Sequence, residues 1–89
     1  MEQRTRGHGL LPLSRLTPGQ TGTVAVMNVE QGVKKRLLDL GLCPGTEICL
    51  RVRSPLADPA VYEFNGTWAA LRRRDAAGIL VIRTAAPEL

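Results

Sequence analysis

Hydrophobic positions repeat with a period of two in the runs at 23–29 and 46–54 and with a helical period between them. In "TVAVMNV" at 23–29, Val24 and Val26 fall on one side and Thr23, Ala25 and Met27 on the other. That alternation, in β-branched residues, predicts a strand. "TEICLRVRS" at 46–54 alternates as well. Ile48, Leu50 and Val52 are expected on the core side, with Glu47, Cys49, Arg51 and Arg53 outside, the pattern of a half-buried strand. Between these two runs lies "EQGVKKRLLDLGLCPG", where Val33, Leu37 and Leu40 follow one another at i, i+4 and i+7. This is one stripe of a helix, with Leu38 at its flank. Arg36 and Asp39 are spaced to pair on its outer surface.

The helix ends abruptly. Gly41 suits the left-handed residue of a C-cap, and Leu42 is then expected to fold back on Leu37. Pro44-Gly45 turns the chain into the next strand. "TPGQTG" at 17–22 is a second turn, and "PLADP" at 55–59 is a Pro-bounded loop. "AVYEFNGTWAAL" at 60–71 reads as a hairpin about a two-residue Asn65-Gly66 turn. Such a turn sets the register: Phe64 faces Thr67, Glu63 faces Trp68, Tyr62 faces Ala69 and Val61 faces Ala70. Tyr62, Phe64, Ala69 and Leu71 then share a face, assigned to the core, and Trp68 is left outside beside Glu63. "RRRDAAG" is a short connector of about one helical turn, and "ILVIR" at 79–83 is the last strand.

The expectation is a mainly β domain: a small barrel of five short strands, with one short helix between the first and second. Closing the sheet would remove exposed edges. Residues 13–84 form this domain, residues 1–12 a mobile tail and residues 85–89 a frayed end.

Composition narrows the functional classes. The chain has 89 residues, enough for one domain. With one Tyr, one Phe and one Trp, its core must be aliphatic. A formal charge of +4 favours anionic partners without choosing among nucleic acid, acidic protein and lipid. Two cysteines, Cys43 and Cys49, are too few for a secreted disulfide scaffold and read as reduced thiols. No apolar run approaches the roughly 20 residues of a membrane span, so a cytoplasmic protein is expected.

Catalytic chemistry is not visible. His8 is the single histidine, the carboxylates are scattered, and neither a P-loop nor a dinucleotide fingerprint occurs. Cys43 and Cys49 are not spaced as a metal-binding pair. The reading is a binding protein with no catalytic residue, metal site or cofactor. "LRRRD" at 71–75, with Arg51 and Arg53 on one strand face, could meet phosphate, yet stacking aromatics are missing.

Three segments in order, "LTPGQTGTV", "KKRLLDLGLCPGTEI" and "PLADPAVYEFNGTWAALRRRDAAGILV", resemble the FeoA family, the small component of bacterial ferrous iron transport systems. The resemblance covers Leu13 to Ile82, and the module is also similar to the C-terminal domain of iron-dependent repressors. It implies an SH3-like barrel without enzymatic activity. It also implies a non-enzymatic accessory role in ferrous iron uptake, docking on the cytosolic side of FeoB, a membrane permease with a GTP-binding domain. The alternatives are a basic barrel that binds nucleic acid and a metal-responsive regulatory module; nucleic acid is not the expected partner, and self-association is open. The candidate docking residues are Lys35, Arg36, Leu38, Asp39 and Leu42 on the helix and its exit, then Pro55, Leu56, Asp58 and Pro59 in the loop, and Trp68.

Overall fold

The computed structural model describes residues 9–55 and 58–84. The tail expected before Gly9, Leu56 of the Pro-bounded loop and the fraying expected from residue 85 lie outside the described residues. Chain order is β1 (Leu10–Pro12), a 3-10 turn (Leu13–Arg15), β2 (Thr21–Met27), α1 (Gln31–Asp39), β3 (Glu47–Arg53), β4 (Ala60–Phe64), β5 (Thr67–Leu71), α2 (Arg73–Ala77) and β6 (Ile79–Arg83). The strands form one antiparallel sheet in the order β1-β6-β2-β3-β4-β5.

The sheet is mainly as expected but has six strands and is not closed. Leu10–Pro12, read as tail, is the sixth strand, with Leu10 facing Ile82 and Pro12 facing Leu80. Three residues are too few to show a period of two, so only the pairing with β6 reveals them. Pro12 is tolerated because β1 is an edge strand.

The β4–β5 hairpin has the register that the Asn-Gly turn dictates, from Phe64 facing Thr67 to Val61 facing Ala70. Asn65 and Gly66 both take positive φ, at 51° and 76°, as the twist-matched two-residue turn requires. Tyr62, Phe64 and Leu71 are buried and Trp68 is exposed.

Two strands depart from simple alternation. In β2 the pairing slips between Val24 and Val26. Val24 is buried, but Val26 turns out to solvent and Met27 takes the inward position. In β3 the slip falls between Leu50 and Val52. Ile48 and Leu50 are buried, whereas Val52, expected in the core, is 49% exposed. An extra residue in one strand of an antiparallel pair exchanges the two faces beyond it.

The end of α1 sets the core. Gly41 has φ of 96°. Its N–H donates to the Leu38 carbonyl, and the Leu42 N–H donates to the Leu37 carbonyl, each at 2.9 Å. This pair of bonds is the Schellman closure. It carries Leu42 beneath the helix, where Leu37 and Leu42 are both fully buried. Leu40, expected to pin the helix, is instead 42% exposed. The helix stops one residue before Leu40 completes its stripe, and Leu42 fills the space.

At the other end of the domain, Gly78 allows two segments to touch. The Asn28 N–H donates to the Gly78 carbonyl at 2.8 Å, and a Cβ on Gly78 would lie 2.1 Å from the Asn28 carbonyl oxygen. The core between these ends is aliphatic apart from Tyr62 and Phe64. Among the described residues no polar or charged side chain is buried in it.

Leu37→Ala is expected to lower unfolding free energy by about 2–5 kcal/mol, as for a buried leucine that leaves a cavity. Leu40→Ala is expected to stay within roughly 0.5 kcal/mol, as surface substitutions do. Urea denaturation of both variants checks that Leu37 is a core residue and Leu40 is not.

Candidate docking surfaces

Two groups of exposed apolar side chains stand beside charged ones. The first is at the exit of α1. Leu38 is 43% exposed and Leu40 nearly as much. Lys35, Arg36 and Asp39 are also on the surface. Asp39 pairs with Lys35 at 3.7 Å and not, as expected, with Arg36. The i, i+4 spacing brings an acid and a base together when side chains lean along the helix, and Arg36 carries no ion pair with Asp39. An ion pair this exposed adds only a few tenths of a kcal/mol. Leu42, predicted as a docking residue, has no surface to offer, because the cap turns it inward. Leu40 stands in its place; its spacing from Leu37 had marked it as core.

This surface is held from the side. Asn65, at the tip of the β4–β5 hairpin, donates from Nδ2 to the Gly41 carbonyl at 3.0 Å. Thr46 Oγ1 also donates to that carbonyl, at 3.3 Å, and accepts from the Cys43 N–H at 3.2 Å. The helix exit is therefore tied to the hairpin tip and to the start of β3.

The second group is on the outer face of β3, β4 and β5. Trp68 is 58% exposed. Arg51 lies over its indole, 5.9 Å from the ring centroid, within cation–π reach. Arg51 Nε donates to Glu63 Oε1 at 2.6 Å. That hydrogen bond is the main reason its guanidinium is held above its ordinary value, with charge from Cys49 and Glu63 adding to it and desolvation acting against it. Val52 lies on the same outer side because of the β3 slip.

The slip also separates Arg51 from Arg53, which were expected side by side. Arg53 faces Ala60, which is buried, and its guanidinium donates to the Leu16 carbonyl. With Arg51 engaged by Glu63 and Arg53 by Leu16, the two do not form a joint phosphate contact.

The predicted loop is somewhere else again. Pro55, Asp58 and Pro59 are exposed. Asp58 Oδ1 accepts from the Arg73 N–H at 3.0 Å, which anchors the loop to the start of α2. Ala60, which follows the loop, faces Leu71 at the base of the hairpin, while Asn65 and α1 are at its tip. Five residues at about 3.4 Å each separate them. The structure ties the exit of α1 to the hairpin tip through Gly41 and leaves Pro55, Asp58 and Pro59 toward the hairpin base.

An open cleft lined by Asn28, Val29, Glu30, Arg74 and Asp75 was not foreseen. Among the described residues, no group of three or more His, Cys, Asp or Glu is placed to hold a metal ion. Cys43 and Cys49 are free thiols.

A model of the FeoA domain matches residues 11–83. The chain belongs to the FeoA family. The FeoA protein of Chlorobium tepidum has a similar solved structure: 36% identity, a TM-score of 0.82, and coverage of 88% of this chain and 74% of that one. The zinc-complexed FeoA of Stenotrophomonas maltophilia, described as a prokaryotic SH3 domain protein, is 25% identical. Its TM-score is 0.68, with 80% of this chain and 88% of that one covered. A manganese-dependent transcriptional repressor shares the fold at 18% identity and a TM-score of 0.75, over 86% of this chain and 43% of its own. No curated protein matches the sequence. The FeoA fold here is SH3-like and mainly β, with an open sheet. None of its described helices is long and apolar enough to cross a membrane.

Tyr62 provides a pH probe of this fold. Burial pushes its phenol up, and the nearby Arg53 charge pulls the other way. The unfolded chain therefore loses this proton first. The stability from keeping Tyr62 neutral is complete below the ordinary tyrosine value of about 10. It falls away as pH rises through the higher folded value. Because Tyr62 is the only tyrosine, tyrosinate absorbance during alkaline titration should appear later in the folded domain than in urea. Coincident curves would contradict the buried assignment.

Proposed function

We propose that this FeoA protein is a non-enzymatic accessory component of bacterial ferrous iron uptake, working in the cytoplasm by docking on the cytosolic side of a FeoB-type permease. The family places it with ferrous iron transport, and the S. maltophilia relative has itself been put forward as a ferrous iron transport activating factor. The observation that carries the docking reading is the exit of α1. Two leucines, Leu38 and Leu40, stand exposed among Lys35, Arg36 and Asp39 on a turn fixed by backbone hydrogen bonds. Apolar groups on a rigid, charge-rimmed support are what a protein partner recognises, because little ordering is left to do on binding.

In this reading Leu38 and Leu40 form the apolar centre, and Lys35, Arg36 and Asp39 orient the partner. Trp68 is a second contact, and Pro55, Asp58 and Pro59 serve only a partner wide enough to reach the hairpin base. The test is a binding assay with the permease's cytosolic domain, with and without a GTP analogue. Leu38→Ser and Arg36→Glu should each weaken binding by about tenfold, the scale of an interface contact worth about 1.4 kcal/mol, with melting temperature nearly unchanged. Binding equal to that of the unmodified chain in both variants would remove α1 as the docking surface. Unchanged iron accumulation after deletion of the gene from a strain that depends on ferrous uptake would remove the function itself.

A further inference from the structure

The two edges of the open sheet are guarded very differently. β1 is three residues long and ends in Pro12, which has no N–H to offer. β5 is five residues, Thr67-Trp68-Ala69-Ala70-Leu71, with neither proline nor charge. Among the described residues it pairs only with β4.

The hairpin register says which backbone groups are left over. In a two-residue hairpin the residues flanking the turn, Phe64 and Thr67, exchange hydrogen bonds. Bonded and non-bonded pairs then alternate, so Ala69 and Leu71 also direct their N–H and C=O to β4. Trp68 and Ala70 direct theirs to the open edge. Their side chains are both exposed, on the same outer face.

We propose that β5 pairs with β5 of a second copy of this chain, antiparallel about a two-fold axis through Ala69. In that register Trp68 and Ala70 of the second copy are a bonded pair, and the reverse pair completes four N–H···O bonds. The fit is self-complementary in size as well. The large indole of each copy lies over the small Ala70 side chain of the other, and Ala69 meets Ala69 at the centre. Charge does not oppose it locally: Arg72, next after Leu71, comes opposite Gly66, which has no side chain. Two six-stranded sheets would become one continuous sheet.

The seam is short. Five residues a side fall below the roughly 20–30 of a stable interface, so the dimer is concentration-dependent. Each copy carries a formal charge of +4, and added salt screens that repulsion. Association should therefore strengthen with salt, opposite to the capture of an acidic partner. This inference rests on the β5 edge and the Trp68–Ala70 fit, not on the α1 surface that carries the permease reading; the dimer would cover Trp68, the second contact of that reading.

The experiment is sedimentation of the full chain over a dilution series at low and high salt, with Trp68 fluorescence and amide exchange read in parallel. A monomer–dimer equilibrium is expected, with bluer Trp68 emission and slower exchange of the Trp68 and Ala70 amides at high concentration. Ala70→Pro removes an outward N–H while sparing every bond to β4, and should weaken the dimer by at least about tenfold, since two bonds are lost per pair. Ala70→Lys keeps the backbone and should do the same, which covers a proline variant that folds poorly. A chain monomeric into the millimolar range would overturn the proposal. So would a dimer that both variants leave intact, or β5 amides protected only by the permease domain, which would give the edge to a different occupant.

Discussion

The fold depends on one backbone conformation, the left-handed turn at Gly41. It brings the Leu42 N–H onto the Leu37 carbonyl and sends the Leu42 side chain into the core beneath the helix. A residue with a Cβ is strained at this φ. Here its Cβ would also sit 2.9 Å from Asn65 Nδ2. Three elements thus meet at one peptide. The helix ends there, β3 starts shortly after, and the hairpin tip is tied to the same carbonyl through Asn65. Helix, strand and hairpin keep their relative positions because that carbonyl accepts from both Asn65 and Thr46.

The same turn decides what the domain shows to a partner. Stopping the helix at Asp39 takes Leu40 off the buried stripe and leaves it beside Leu38 in solvent. The core loses nothing, since Leu42 occupies the vacated position. A single closure both completes the interior and exposes an apolar pair on a rigid base. The slips in β2 and β3 do similar work on the sheet. Each one turns a valine outward, and the slip in β3 also parts Arg51 from Arg53. Arg51 then braces Trp68 and Glu63 on the outer face, while Arg53 holds the Leu16 carbonyl near the 3-10 turn.

Two basic side chains are accordingly put to structural use. Arg51 and Arg53 satisfy neighbours. Asp58, from the loop, caps an N–H of the arginine-rich α2. The surface is shaped by local pairing, and its apolar features are discrete: the α1 exit, the Trp68 face, the open edge of β5, and Leu10, Val26 and Ile82 on β1, β2 and β6.

Local chemistry made part of this legible in the residues. The Asn65-Gly66 turn allows only one short hairpin register, so the burial of Tyr62 and Phe64 and the exposure of Trp68 followed from spacing. Gly41, Pro44 and Gly45 announced the helix stop because few residues tolerate that backbone. The three-segment pattern carried the family. What the sequence could not express were choices made by pairing with distant strands. β1 exists because β6 offers it an edge. Val26 and Val52 face out because each strand accommodates one extra residue against its neighbour, and alternation by itself carries no sign of where that happens. Leu40 and Leu42 both suited the core by type and spacing. The Gly41 cap already pointed Leu42 back at Leu37; only the three-dimensional closure showed that Leu40 is then left in solvent, since the space under the helix holds one leucine.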